Sequence, residues 1–491
     1  MSHSLPILPL VLHQTPPGLA LVLGQEGVPY RLHDENDPGA GRFVLFDARS
    51  TPRDRVESSL VAGQVAIDIA SLRRGESTDP FRALVDLKSA RMAWSVAGET
   101  LVEQVGRRDK AAIRRRMVLR LRHLIATHGG LWAKLSAFPH PYRSAFNLRI
   151  DLDEPNPADY ALFAMARTPL NDCTTHFVST SAYGNLPAVL ADLRGLDTQS
   201  HGHHHIVSHD QAFNRTNLKR AHTLLDEAGI VATGFTGPHG RWNLGLDQAL
   251  EEIGYLYSSD FSIGYDDLPF FPWLGDRFSN VLQVPVHPVC EGLFLDAGIS
   301  SAEEIARYFS QVVQAKIRSH EPAFVYGHPE RRLARMPEVL RALSRSIANE
   351  PLVWRTTLTA FAQWWRWRQS RRWDVVDLGE GRFEVRFSEW NSSYPVAVEI
   401  ASGSHVASIP IRRPRVDFDR SAIAFEQWET EPAVAAPIRL PQPRSWKSRL
   451  RESLEWETVT PRAELPTSTI KAQVKKSLRR WTDLRRGGRF S

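Results

Sequence analysis

Between residues 138 and 370 the chain alternates short apolar runs with amphipathic ones, and this rhythm narrows the possible fold more than any other feature. Apolar runs fall at 146–151, 174–179, the approach to His201, 230–235, 255–260, 281–286, 323–326 and 353–357. Helical spacings at 217–228, 244–253, 302–315, 337–347 and 359–367 lie between most of them. Strand followed by helix, repeated, predicts an α/β domain: a parallel sheet covered by helices, either open or closed into a β/α barrel. In both architectures ligands collect at the C-terminal ends of the strands.

The flanking segments keep other rhythms. Residues 1–137 mix short strands, such as 42–46 and 64–69, with a helix expected over 109–126, where Ile113, Met117, Leu121 and Leu124 keep three- and four-residue spacings. This reads as an N-terminal α/β accessory unit. Its arginines around 107–116 predict either a solvated or internally salt-bridged helix face or a contact for an acidic partner. Alternation in 383–387, 396–400 and 406–411 predicts a small β-domain over 371–432. Residues 433–491 read as a linker containing Pro437, Pro441 and Pro443, then a basic helix striped by Ile470, Val474, Leu478, Trp481 and Leu484.

Composition excludes several classes. A chain of 491 residues suggests roughly three domains, and 42% apolar with 24% charged residues rules out a disordered or fibrous protein. The two cysteines, Cys173 and Cys290, make no disulfide framework, so a reducing compartment is expected. The first residues show no signal-peptide pattern, and no apolar run approaches the length needed to span a bilayer. A cytoplasmic protein is therefore expected, peripheral at the inner membrane surface if the 470–491 stripe lies on anionic lipid. Net charge is +6, yet residues 471–491 alone carry +7 and everything before them sums to −1. Charge thus gives no ground for assigning the body to nucleic acid, and oligomerisation is left open. Phosphate-loop, dinucleotide and serine-hydrolase motifs are absent.

The chemistry-bearing residues gather after the strands. In Arg149-Ile150-Asp151-Leu152-Asp153 the period of two puts Asp151 and Asp153 on one side of a strand end, a pairing that a cation can stabilise. His201 and His205, within Ser200-His201-Gly202-His203-His204-His205, can face one site if the segment turns. With a carboxylate they make the two-histidine, one-acid set of catalytic metals; the plain alternative is a buried polar network. Gly237-Pro238-His239-Gly240 reads as a rigid loop beside a pocket, and Asp260 adds a carboxylate at another strand end. His287 and His328 each follow an apolar strand and precede a proline, which makes either a candidate proton donor.

Over residues 138–360 these elements, in order and spacing, resemble a divergent branch of the polysaccharide deacetylase (NodB-like) superfamily. The family's acidic pair is similar to Asp151 and Asp153, with Leu152 intervening. Its His-(Ser/Thr)-x-x-His motif resembles His201 to His205, with glycine in place of the hydroxyl residue. Its Arg-x-Pro-Tyr-Gly loop resembles residues 236–240 without the arginine and tyrosine, leaving Arg241 or Arg149 to orient the catalytic aspartate. Its later aspartate looks like Asp260 and its last histidine motif like Tyr326-Gly327-His328-Pro329.

The resemblance implies a distorted β/α barrel and metal-assisted removal of an N-acetyl group from a carbohydrate or glycolipid. It implies Asp153, His201 and His205 as ligands of a divalent ion, Asp151 as general base, His328 as general acid, Asp260 assisting and His287 as the substitute acid. Zinc fits that ligand set; iron, cobalt, nickel or manganese also do. Trp242, Tyr265, Phe270, Phe271 and Trp273 are the aromatic candidates for a sugar platform. The alternatives are a catalytically weak interaction or glycan-binding derivative, or a hydrolase of another C–N bond.

Overall fold

The computed structural model describes residues 5–34, 41–390, 393–402, 405–427 and 436–441, with 473, 474 and 477 beyond them. The basic stripe expected over 470–491 therefore lies almost wholly outside the described residues.

The central element is an open, curled sheet of eight parallel strands. From one edge the order is Leu282–Gln283, Tyr257–Ser258, Gly234–Phe235, Asp197–Ser200, Thr174–Val178, Ser144–Leu152 and Pro322–Gly327. Val353–Arg355 pairs with the first residues of Ser144–Leu152, below Thr174–Val178 on the same side. The ladder does not close into a barrel: the edges meet through a backbone hydrogen bond from His287 N–H to the Phe324 carbonyl at 2.8 Å.

Ser144–Leu152 is buried at every position. A central parallel strand is covered on both faces, so polarity rather than exposure alternates along it. Asn147 and Arg149 are polar and buried, with Asp151 next in the same register, and Phe146, Leu148, Ile150 and Leu152 fill the opposite face. Asn147 uses its amide to bond the carbonyls of Cys173 and Thr356 and the Thr175 hydroxyl, tying three strands together at one level. The flanking helices begin at side-chain caps visible in the sequence: Asp210, Asn243, Ser301 and Thr357 each accept a hydrogen bond from the first turn.

The N-terminal segment forms a four-stranded parallel sheet, ordered Tyr30–Leu32, Leu10–His13, Phe43–Phe46, Val65–Asp68, and a hairpin of Ser89–Val96 with Glu99–Gly106. The hairpin turns at Ala97 and Gly98, both at positive φ, and Gly106 N–H donates to the Phe261 carbonyl at 3.0 Å, which seats it against the curled sheet. The arginines of helix Lys110–Thr127 are salt-bridged internally: Arg114, buried, meets Glu26 and Asp267, and Arg115 meets Glu321.

The C-terminal segment is antiparallel. Trp373–Gly379, Arg382–Phe387 and Arg415–Asp419 form one sheet. Val396–Ser402, His405–Ile411 and Glu426–Gln427 form another, whose remaining strand, Trp132–Leu135, comes from before the parallel sheet. Ile438–Arg439, inside the Pro-rich stretch, pairs with Ala93 and Met92 of the hairpin. One apolar core runs from Ile7 through the parallel sheet to Phe418. Among the described residues no helix is long and apolar enough to cross a membrane.

Candidate metal centre

The Asn147, Arg149, Asp151 register continues past the strand end to Asp153, and there the site forms. Asp153 Oδ1 lies 3.1 Å from His201 Nε2 and 3.3 Å from His205 Nε2. The three ligand atoms lie within 4.8 Å of one another, a group able to hold a metal ion.

The histidine segment is bent rather than helical. Gly202 sits at φ 82°, and a Cβ there would come within 3.0 Å of Asn217 Nδ2 and 3.1 Å of the His204 carbonyl, so glycine is required where the resembling family has a hydroxyl residue. Asn217 clamps the bend by accepting from His204 N–H at 2.7 Å and donating to the His204 carbonyl at 3.1 Å. His201 is 1% exposed, and its Nδ1 lies 2.7 Å from the Thr236 carbonyl. That bond puts a proton on Nδ1, so in the neutral ring the lone pair of Nε2 faces Asp153.

The donor set fits a divalent ion. Asp153 Oδ1 is buried yet accepts no hydrogen bond among the described residues. Two imidazole nitrogens converging on one carboxylate oxygen are a donor set that a cation satisfies. The Asp153 side chain keeps 23% of its surface exposed and His205 15%, so the centre is open to solvent.

Asp151 faces the same space and is held from behind. Arg149, fully buried, donates from Nε to Asp151 Oδ1 at 2.8 Å and from Nη2 to Oδ2, and its third nitrogen donates to the Ser259 carbonyl. Burial opposes ionisation of Asp151, but the Arg149 charge more than offsets it and the carboxyl stays below its ordinary range. Of the two arginines proposed from sequence, Arg149 is the one that orients the aspartate.

His328 stands on the other side, with Nε2 3.6 Å from Asp153 Oδ2. Its Nδ1 lies 2.8 Å from Glu291 Oε1, which also accepts the His328 backbone N–H at 3.0 Å. Burial disfavours the imidazolium, yet the Glu291 carboxylate overcomes this and lifts His328 well above its ordinary value. Cys290, Glu291 and His328 also bring ligand atoms together, but Arg332 Nη1 already stands 3.6 Å from Glu291 Oε1 and supplies that pocket's positive charge.

The remaining sequence candidates lie elsewhere. Asp260 accepts from Gly237 N–H at 2.6 Å and from the Ser258 hydroxyl, so it braces the 236–240 loop; burial raises its carboxyl to about 6. Gly237 N–H is thereby taken, and Gly240 N–H donates to the Gly237 carbonyl, which leaves neither for an oxyanion. His287 is buried with Nδ1 2.8 Å from Asp266 and Nε2 2.9 Å from the Tyr308 hydroxyl, in an ionic network with Lys316. Both ring nitrogens are engaged, and the structure does not bring it to the metal group. Tyr265 and Phe270 are buried, whereas Trp242 is partly exposed beside the loop.

Several residues were not anticipated. Glu291 carried no motif, because a lone acid after a proline-broken strand has no periodicity to mark it. Glu330 accepts from the Tyr183 hydroxyl and is pushed by burial up to about 7. The His239 ring, where the resembling family has tyrosine, lies 5.4 Å from His205. From the N-terminal hairpin, Glu103 is raised by burial and lies within electrostatic reach of His239, Arg241 and His328, so the accessory unit borders the site.

No family model matches the sequence, and no curated protein does. Solved structures give a distant, partial likeness. A chain described as a polysaccharide deacetylase of Mycobacterium smegmatis shares 19% identity over 47% of this chain and 93% of its own, with a TM-score of 0.41. A counterpart from Pseudomonas aeruginosa shares 19% over 47% and 94%, with 0.41, and the Puue allantoinase 18% over 47% and 93%, with 0.40.

Proposed function

We propose that the protein is a metal-dependent hydrolase that removes the N-acetyl group of a carbohydrate or glycolipid. The observation that carries this reading is the convergence of Asp153, His201 and His205 between an arginine-held aspartate and a glutamate-held histidine.

Asp153, His201 and His205 would hold the ion, zinc by preference, and a bound divalent ion supplies Lewis acidity toward an acyl oxygen and acidifies water. Asp151, kept ionised and fixed by Arg149, removes the proton of the attacking water. His328, kept protonated by Glu291, gives a proton to the departing nitrogen, which an amine leaving group requires. Holding the base charged and the acid protonated at one pH is the division of labour that two-group hydrolysis needs.

Metal content and acetate release from acetylated amino sugars test the reading together. Asp153→Ala and His201→Ala should lose both, and His328→Gln should keep the metal and lose turnover. Unchanged metal content in both ligand variants would overturn the ligand assignment. Metal retained with cleavage of a different amide would favour another C–N bond hydrolase, and metal with no turnover a glycan-binding derivative. Cytoplasmic placement at an anionic membrane surface through residues 470–491 belongs to the same proposal. Vesicle co-sedimentation of the full chain against one lacking those residues decides it.

A further inference from the structure

The hairpin of the N-terminal unit carries a carboxylate on the wrong face for packing. Along Glu99–Gly106 the period of two puts Leu101, Glu103 and Val105 on one side, and their cross-strand partners Trp94, Met92 and Ala90 complete it. Leu101, Val105, Trp94, Met92 and Ala90 are all buried. Glu103, half-buried, is thus an acid set within an apolar surface, at a position that a hairpin built for packing alone would fill with another apolar side chain.

Phe261 fixes where that surface lies. Its carbonyl accepts from Gly106 N–H at 3.0 Å, its ring covers Gly240, where a Cβ would stand 2.5 Å away, and the same ring lies 5.4 Å from that of Tyr326. The next residue holds the 240–242 turn: Ser262 N–H donates to the Gly240 carbonyl at 3.0 Å, and its hydroxyl accepts from Trp242 N–H at 2.8 Å. Glu99–Gly106 also runs beside helix Glu291–Asp296, whose first residue holds His328. The hairpin is therefore joined to two walls of the metal centre, and Glu103 comes within electrostatic reach of His239, Arg241, His328 and Tyr326.

None of these four groups is hydrogen-bonded to it. Among the described residues the Glu103 carboxylate accepts one hydrogen bond, a local one from Gln104 N–H to Oε1 at 2.6 Å. Arg241 and His328 supply compensating charge from a distance, so a ligand at Glu103 needs no charge of its own. What the carboxylate lacks is donors, since two carboxylate oxygens can accept about four hydrogen bonds. Sugar hydroxyls are neutral donors of that kind, and a neighbouring pair of them matches the two oxygens of one carboxylate. Pockets at the seam of two units commonly draw such orienting groups from both sides.

We propose, resting on the carbohydrate reading of the metal centre, that Glu103 is a substrate-binding residue supplied by the N-terminal unit, accepting hydrogen bonds from ring hydroxyls of the sugar whose acetamido group meets the metal. The accessory unit then takes part in choosing the substrate, and an acetamide without hydroxyls gains nothing from it.

Calorimetric titration tests this in the metal-loaded full chain carrying His328→Gln, the variant expected to keep the ion without turnover. The probes are triacetylchitotriose and N-cyclohexylacetamide, which presents an acetamide on a six-membered ring that has no hydroxyls. Adding Glu103→Leu should weaken the trisaccharide roughly tenfold or more, as expected for lost hydrogen bonds to a charged acceptor. It should leave N-cyclohexylacetamide within about twofold and the metal content unchanged. Leucine suits the apolar face, so the melting temperature should hold or rise. Glu103→Gln, which keeps one acceptor oxygen, should fall between, and it serves alone if the leucine variant does not fold. Equal trisaccharide binding with and without Glu103, no saturable trisaccharide binding by either protein, or equal losses for both probes would overturn the proposal. Glu103-dependent trisaccharide binding in a chain whose native form releases no acetate would uphold it and remove the hydrolase reading alone.

Discussion

Arg149 holds the Asp151 carboxylate from two residues back on the same strand, with Nε 2.8 Å from Oδ1 and Nη2 on the other oxygen. The period of two that brings the carboxylate to the cleft brings its guanidinium to the same side. Arg149→Met should leave Asp151 buried and unpaired, costing about 3–5 kcal/mol of stability and about 10²- to 10⁴-fold in turnover. Arg149→Lys, which keeps the charge but not the fork, should fall between. Urea unfolding and acetate release with metal content in parallel check this; full turnover in Arg149→Met would refute the orienting role.

Glu291 raises His328 against the effect of burial, so the histidine stays protonated above its ordinary range. An acid catalyst is lost as pH rises through its pKa, so the falling alkaline limb of kcat should lie above the ordinary histidine value. Glu291→Gln should move that limb to lower pH, with the acid limb and metal content unchanged. A pH–rate profile of both proteins decides it, and an unmoved alkaline limb would separate Glu291 from the proton donor.

His287 is engaged on both nitrogens by Asp266 and the Tyr308 hydroxyl. His287→Gln should cost about 1–3 kcal/mol of stability through buried groups left without partners, with turnover near that of the native protein. A collapse of turnover in a well-folded His287→Gln would return it to the list of proton donors.

Lys110 is 3% exposed with its Nζ 4.6 Å over the Phe270 ring and no hydrogen-bond partner among the described residues. Burial brings its pKa down to about 8, with Asp267 and Asp86 opposing. The folded protein therefore binds this proton less tightly than the unfolded chain, and stability should rise as pH climbs from about 8 toward the ordinary lysine value. Lys110→Met should raise the melting temperature at pH 7, by an amount that shrinks at pH 10. Thermal melts at the two values test the sign; a gain that grows with pH would contradict it.

The strands and helices around the site were legible because each is punctuated. Helix 244–253 is bracketed by Asn243 as cap and Gly254 at φ 89°, and its bounds match the expectation. The metal group was legible because Asp153, His201 and His205 each follow a strand end in the expected order. Their local geometry was not: a spacing of four reads as a helix turn, whereas Gly202 and Asn217 build a bend. The partner of His328 was hidden for a different reason. Asp260 had the right position along the chain, but its oxygens are spent on Gly237 and Ser258, and Glu291 takes the place by a contact between segments that no local pattern encodes. Whether the sheet closes was equally invisible, since that depends on strand-edge meeting rather than on strand content.

The pairing of Trp132–Leu135 with Val396–Ser402 has a consequence for how the protein is made. Translation delivers the first strand more than two hundred residues before its neighbour, so it must wait on the ribosome with an unsatisfied edge. Assembly of this body is therefore completed from its far end, and a nascent chain halted within the parallel sheet would be a natural client for chaperones.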